Sequence, residues 1–274
     1  MESQSYTSSF ASIYDDVMKR VPYYYWYKYL KHLLSYYDKN PVKILELACG
    51  TGNMVKYFAE EADVIYGVDK SEDMLSIAKN KLKFFDNIKL FNTDMAVKNQ
   101  YGDFDFIYSI FDSFNYILDY DKLVKVFENA YFNLNSDGIF IFDMNTIYRL
   151  MDLNEGTNKI KGDDYTCYWR DIVDKKNKKW IVELNIYMDV EGDIKSFSEK
   201  HIETSYPIKK IREGLLKSGF THVDYYRSFT FRKGKSKNNR IHFVALKQPP
   251  TINKAKQILV RTKWNIISPF ISFF

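Results

Sequence analysis

The residues best equipped for chemistry lie between Ile44 and Asn53, ILELACGTGN, where a short β-rich run enters a turn built on Gly50 and Gly52. Glycine there lets the backbone turn sharply and approach a ligand where a Cβ would clash, and a helix starting just beyond offers N–H groups to a nucleotide-like molecule. A dinucleotide fingerprint G-x-G-x-x-G counted from Gly50 needs glycine where Val55 stands, which weakens a nicotinamide-dehydrogenase reading. Cys49 lies inside the turn with no histidine near it in sequence to activate a thiol, so it reads as packing. The histidines His32, His201, His222 and His242 lack metal-ligand spacing and read as structural, with His201 placed in a strand that can face the site.

The elements that position these residues alternate in type. Strand-like runs at Lys43 to Ala48, Val64 to Asp69, Ile88 to Asn92 and Phe104 to Ile110 are interleaved with helical patterns from Met54 and over Glu72 to Lys83. A helix over Tyr120 to Leu134, with Leu123, Val126, Phe127, Ala130 and Tyr131 on one face, leads through a turn at Ser136-Asp137-Gly138 into a strand at Ile139 to Met144. Such alternation predicts an α/β protein with a parallel sheet covered on both faces. Beyond Asn145 three strand-like runs, Tyr165 to Val173, Trp180 to Met188 and Ile194 to Thr204, are separated by DKKNKK and DVEGD and predict an inserted antiparallel meander. A helix from Pro207 to Lys217 and a hairpin around KGKSKNN return the chain to the main sheet. Two tyrosine-rich helices, Tyr6 to Lys19 and Tyr23 to Tyr37, precede all of this. The predicted division is capping helices over 1–40, a ligand-binding core over 41–145 and 205–248, a lid over 146–204, and a basic, apolar tail over 249–274.

ELACGTGN, with Glu46 in its strand, resembles motif I of the class I S-adenosylmethionine-dependent methyltransferases, and the rest follows in the order of that family. The resemblance implies a Rossmann-like sheet with S-adenosyl-L-methionine held by Glu46, Ala48, Gly50 and Gly52 at the glycine turn. Asp69, at the end of the second strand, is placed like the acid that accepts both ribose hydroxyls. Asp94 and Met95 are placed like the pair that reads adenine, with Met74 on the adenine face and Ile110 at the end of the fourth strand. The segment Phe111 to Tyr116 sits where the family transfers the methyl group. FASIYDDVM, Trp26, DSFNY and FDMNT resemble a narrower group, the small-molecule N-methyltransferases of the glycine/sarcosine and amino-sugar type. By that likeness Tyr14 covers the methionine end of the cofactor with Trp26 beside it, Tyr14 or Asp112 takes or orients the proton of an amine, and Tyr116 or Asn115 holds the amine in line. Catalysis is then mainly a matter of position.

Charge and composition bound the alternatives. The 274 residues carry 48 aromatic side chains, enough apolar area to exclude disorder. The net charge of +5 divides unevenly: residues 1–224 carry −6, and residues 225–274 carry +11 with no acid. No N/D-P-P-Y/F signature follows the fourth strand, so a small-molecule acceptor is expected rather than nucleic acid. An RNA methyltransferase using the basic segment, or a non-catalytic cofactor-binding protein, are the alternatives. The start lacks the apolar core of a signal peptide and two cysteines make no disulfide framework, so a cytoplasmic setting is expected. The tail reads as a helix capped by Thr251 with Ile252, Ala255, Leu259 and Ile266 on one face, flanked by Ile258 and Ile267 and followed by FISFF. It is expected to dock on its own domain or a second subunit, or to contact an anionic membrane surface.

Overall fold

The computed structural model describes residues 6–251 and 253–268. Two helices, α1 (Ser8–Val17) and α2 (Tyr23–Tyr36), lead into β1 (Lys43–Leu47), α3 (Val55–Phe58), β2 (Val64–Asp69), α4 (Glu72–Leu82), β3 (Ile88–Asn92) and β4 (Phe104–Ser109). A 3-10 turn at Ser113–Tyr116 precedes α5 (Tyr120–Asn133), β5 (Leu134–Asn145) and α6 (Ile147–Met151). The strands β6 (Gly156–Lys161), β7 (Tyr165–Asp174), β8 (Lys179–Val190) and β9 (Asp193–Thr204) form the meander, and α7 (Ile208–Lys217), β10 (His222–Arg227), β11 (Arg240–Leu246) and α8 (Lys254–Ile267) follow.

The main sheet has seven strands in the order β10-β11-β5-β4-β1-β2-β3, all running the same way except β11, which is antiparallel to both of its neighbours. Its central strands are buried on both faces, which is why they read as unbroken apolar runs. One face packs on α5 through Leu123, Val126, Phe127 and Ala130, and the other on α2 through Tyr29, Leu30 and Leu33. From β1 the chain winds outward through β2 to β3, and from β4 it winds the opposite way to β5. The loops leaving the carboxyl ends of β1 and β4 therefore diverge, and the resulting crevice is where a doubly wound sheet receives a ligand.

Four expectations are corrected. The meander has a fourth strand, β6, whose residues are almost all exposed and so carry no apolar alternation to read. Ser136-Asp137-Gly138 is not a turn but part of β5, which pairs with β4 through a register shift between Phe104 and Phe106, so the bend is absorbed as an irregular pairing. In the tail, Asn253 rather than Thr251 caps the helix, its side chain accepting from the Lys256 N–H at 3.0 Å. The docked face of α8 is Val260 and Trp264, not Ala255, Leu259 and Ile266. Trp264 wins because it buries the larger ring against Tyr29 and His32 and donates Nε1–H to the Phe229 carbonyl at 2.8 Å. The helix thus docks on its own chain, while Ile252, the Ile267 side chain and FISFF lie outside the described residues.

Candidate active site

A cavity of about 650 Å³ opens at the divergence of β1 and β4. The loop after β1 enters it with Ala48 at φ +57° and Gly50 at φ +53°, both left-handed. An added Cβ at Gly50 would meet the Met74 methyl only at ordinary contact distance, 3.4 Å, so it is the left-handed φ and not lack of room that asks for glycine there. Gly52 has a different task. It does not line the cavity, and a Cβ there would come within 2.6 Å of Leu82, so Gly52 lets the loop seat on α4. The placement of Gly52 at the ligand is corrected accordingly.

Asp69 ends β2 beside that loop. Its Oδ2 accepts from the Gly50 N–H at 2.8 Å and its Oδ1 from the Ser71 N–H at 2.9 Å, fixing the carboxylate at the rim of the cavity. Burial raises its pKa against these donors. Helix α4 has its own cap in Ser71, which accepts from the Met74 N–H at 3.2 Å, so Asp69 is not the cap. At the end of β3, Asp94 and Met95 line the same wall. Burial acts upward on the Asp94 carboxyl, but the Lys122 ammonium at 2.8 Å and the Ala96 N–H at 2.9 Å outweigh it and hold the pKa low.

Glu46 lies at the floor, buried, with the Tyr108 hydroxyl donating to it at 2.7 Å. Burial pushes its pKa up to about 8, with the nearby Asp69 adding to the rise. Ile110 closes β4. The next two residues, Phe111 and Asp112, are both left-handed at φ +63° and +54°, a conformation that costs on the order of 1–3 kcal/mol each. Asp143 at the end of β5 holds them there, accepting from the Phe111 N–H at 2.7 Å and the Asp112 N–H at 3.2 Å.

The first helix forms the roof. Asp15 accepts from Thr51 Oγ1 at 2.7 Å and Asn53 Nδ2 at 2.9 Å and pairs with Lys81, tying α1 to the glycine loop. On the other side Glu199 of β9 accepts the Tyr6 and Thr7 N–H groups at 2.8 and 2.9 Å. Tyr6, Tyr14 and Tyr23 consequently hang into the cavity, and the Tyr6 hydroxyl donates to that of Tyr116 at 2.9 Å. Burial raises the Tyr6, Tyr14 and Tyr116 pKa values well above normal, so their hydroxyls stay neutral.

Behind Tyr6 and Tyr116 stands a buried ionic cluster. Arg240 of β11 pairs with Asp112, 3.1 Å away, and with Asp143, while Asn145 Nδ2–H donates to Asp112. Glu203 of β9 is buried and, among the described residues, its Oε2 has no hydrogen-bond partner. Burial drives the Glu203 carboxyl strongly toward its neutral form, and Asp112 adds to this. His201, on the same face of β9, has its ring centroid 4.8 Å from that of Tyr6.

Three sequence assignments fail against this geometry. Trp26 is in the core, packed edge-on to Phe229 and beneath the Arg240 guanidinium, because at its position α2 faces the β10–β11 hairpin, and only Tyr23 at the start of the helix reaches the cavity. Asp112 turns away from the cavity, its carboxylate committed to Arg240 and Asn145. Asn115 is fully buried as a staple, accepting from the Asn145 N–H and donating to the Thr204 carbonyl. The structure also assembles residues with no local sequence signal, above all Tyr6, Glu203 and Arg240.

Residues 44–138 match the methyltransferase-domain family. A protein of Geobacillus sp. (strain WCH70) named as a methyltransferase is 28% identical over 249 residues, covering 87% of this chain and 98% of that protein. The crystal structure of an S-adenosylmethionine-dependent methyltransferase from Clostridium acetobutylicum ATCC 824 superposes with a TM-score of 0.74 at 28% identity, over 87% of this chain and 98% of that one. A sugar N-methyltransferase from Streptoalloteichus sp. ATCC 53650 shares the fold, with a TM-score of 0.72 at 17% identity over 91% of this chain and 98% of that one.

Proposed function

Because this chain belongs to the class I S-adenosylmethionine-dependent methyltransferases, we propose that it places the methyl group on an amine of a small, polar acceptor. The observation that carries the acceptor class is the charge imbalance at the wall behind Tyr6 and Tyr116. Two buried carboxylates, Asp112 and Asp143, share the single guanidinium of Arg240, and a third carboxyl, Glu203, stands beside them, held toward its neutral form by burial and by Asp112. None of these carboxyls lines the cavity, but their excess negative charge lies just behind Tyr6 and Tyr116, so its field favours a cationic amine in front of those rings and disfavours an anionic acceptor. The sugar N-methyltransferase that shares the fold agrees with this reading.

S-adenosylmethionine, when bound, supplies a methyl group already activated on a cationic sulfur. The residues present fit it: a left-handed glycine in the loop that lines the cavity, a carboxylate fixed at the end of β2, and a second carboxyl at the floor. Asp69 would accept the ribose hydroxyls, Asp94 and Met95 with Met74 would hold the adenine, and Glu46 would meet the amino-acid end; all five line the one cavity. Helix α1, latched through Asp15 and Glu199, keeps water out, and Tyr14 covers the reacting end. The Tyr116 hydroxyl, itself oriented by Tyr6, accepts an N–H of the acceptor and aims its lone pair.

Glu46 supplies a measurable signature. A cation bound near it favours the ionised carboxylate, so cofactor loading below about pH 8 expels a proton, and affinity climbs as pH rises toward that value. Calorimetry in two buffers of different ionisation enthalpy reads the proton release directly. Glu46→Gln should abolish it; release of the same size in that variant removes Glu46 from the cofactor site.

For the acceptor, the purified protein is incubated with methyl-labelled cofactor and a panel of amino sugars, amino acids, simple amines, alcohols, phenols and RNA. Label in amines supports the proposal. Label in hydroxyl compounds or RNA and in no amine overturns it.

A further inference from the structure

We propose that the C-terminal helix and the loop of the β10–β11 hairpin together form a docking surface for an anionic lipid bilayer. The two halves of the basic C-terminal region are one surface in space. Trp264 anchors α8 to the hairpin carbonyl of Phe229, and Arg261, whose guanidinium lies over the Tyr36 ring, shares one open groove with Lys233, Lys235 and Lys237. Lys209 and Arg212 of α7 line its far side.

The exposed side of α8 carries the second half of the signal. Ile258, Leu259 and Ile266 are 65%, 54% and 68% exposed although the helix is firmly docked. At about 100° per residue these three share one strip on the side of the helix opposite Trp264. Lys254 and Arg261 border the strip on one edge and Lys256 and Lys263 on the other. Lys256 pairs with Asp38; among the described residues Lys254, Arg261 and Lys263 have no ion-pair partner. In sequence the helix is followed by PFISFF, further apolar and aromatic material without an acid.

Charge complementarity selects the occupant. An apolar strip bracketed by cations, lying parallel to a surface and continuous with a lysine-rich loop, matches the headgroup boundary of an anionic bilayer, where the strip enters the acyl edge and the lysines meet phosphate. No described helix is long and apolar enough to cross a membrane. A nucleic acid would use the lysines and leave Ile258, Leu259 and Ile266 in water.

The test is flotation of the full chain with vesicles of phosphatidylcholine alone or mixed with phosphatidylglycerol, at low and high salt. The protein should float with the anionic vesicles only, and salt should release it. Ile258→Glu with Leu259→Glu, at exposed positions the fold does not use, should reduce partitioning at least about tenfold. Charge reversal at Lys233, Lys235 and Lys237 should do the same. Unchanged cofactor affinity in both variants shows that they are folded. No flotation, equal flotation with neutral vesicles, or indifference to both variants overturns the proposal. So does a dimer that the Ile258/Leu259 variant dissociates, or salt-sensitive RNA binding without vesicle binding, each of which assigns the surface to another partner.

Discussion

Replacing Arg240 with Met is expected to destabilise the protein by about 3–5 kcal/mol, a large share of the ~5–15 kcal/mol that holds a typical fold together. The guanidinium is the one cation among three buried carboxyl groups, and β11 places it there by pairing Arg240 with Asn145 at the end of β5. Methionine fills similar volume between Trp26 and Phe111 but takes from Asp112 and Asp143 their one cationic partner, leaving only neutral donors. The loss has a pH signature. Burial already lifts Asp143 to about 6 with Arg240 opposing the rise, so removing Arg240 lifts it further. A carboxyl whose folded pKa lies above its unfolded one contributes stability at low pH that is lost as pH rises through the folded value. The variant should therefore be most stable on the acid side and weaken toward and beyond about pH 6, more steeply than the parent. Urea unfolding across that interval measures it. A variant as stable as the parent, or one that gains stability with rising pH, would show that Arg240 does not neutralise the cluster. Because Asp143 also holds the strained Phe111–Asp112 turn, a loss of cofactor affinity should accompany the loss of stability.

Asp69→Ala should weaken S-adenosylmethionine binding by about a hundredfold or more, since a charged acceptor loses two ribose donors and each such bond is worth roughly 1.5–3 kcal/mol. The Gly50 and Ser71 N–H groups lose their acceptor in the same step, which loosens the glycine loop. Asp69→Asn preserves shape and one carbonyl oxygen and should fall between the two. Isothermal calorimetry decides: parental affinity in the alanine variant would take the ribose away from Asp69 and leave it a purely structural tie.

Local order was readable wherever two-sided burial or a turn imposes a pattern. The β1 to β5 runs are legible because a sheet covered by helices tolerates almost no polar residue, and Gly50, Asp69 and Asp94 are legible because each stands at a strand's carboxyl end, where chain order places it. Exposed β6 has no pattern, and it was missed for that reason. Trp26 was misplaced because an aromatic on an apolar helix face looks the same whether that face meets a ligand or the core. Ala255, Leu259 and Ile266 share an apolar face by spacing, which does not say whether that face docks or stays open; the packing decides it, because one tryptophan with a hydrogen-bond partner seats α8 by its other side.

By itself, the sequence determined the sheet, the glycine loop and the carboxylates along its crevice, since these follow from spacing within one strand–turn–helix unit. Only the tertiary structure decided the wall of the cavity that carries the acceptor proposal. Tyr6 and Tyr116, and Arg240 and Asp112, meet across separations of 110 and 128 residues, and Glu203 joins them from the meander. Short-range periodicity carries no record of such meetings. The +11 of the last 50 residues was likewise plain as a sum, but its meaning as one surface depends on Trp264 fastening α8 to the hairpin. Charge is additive along a chain, whereas a binding surface exists only once packing has set the charges side by side.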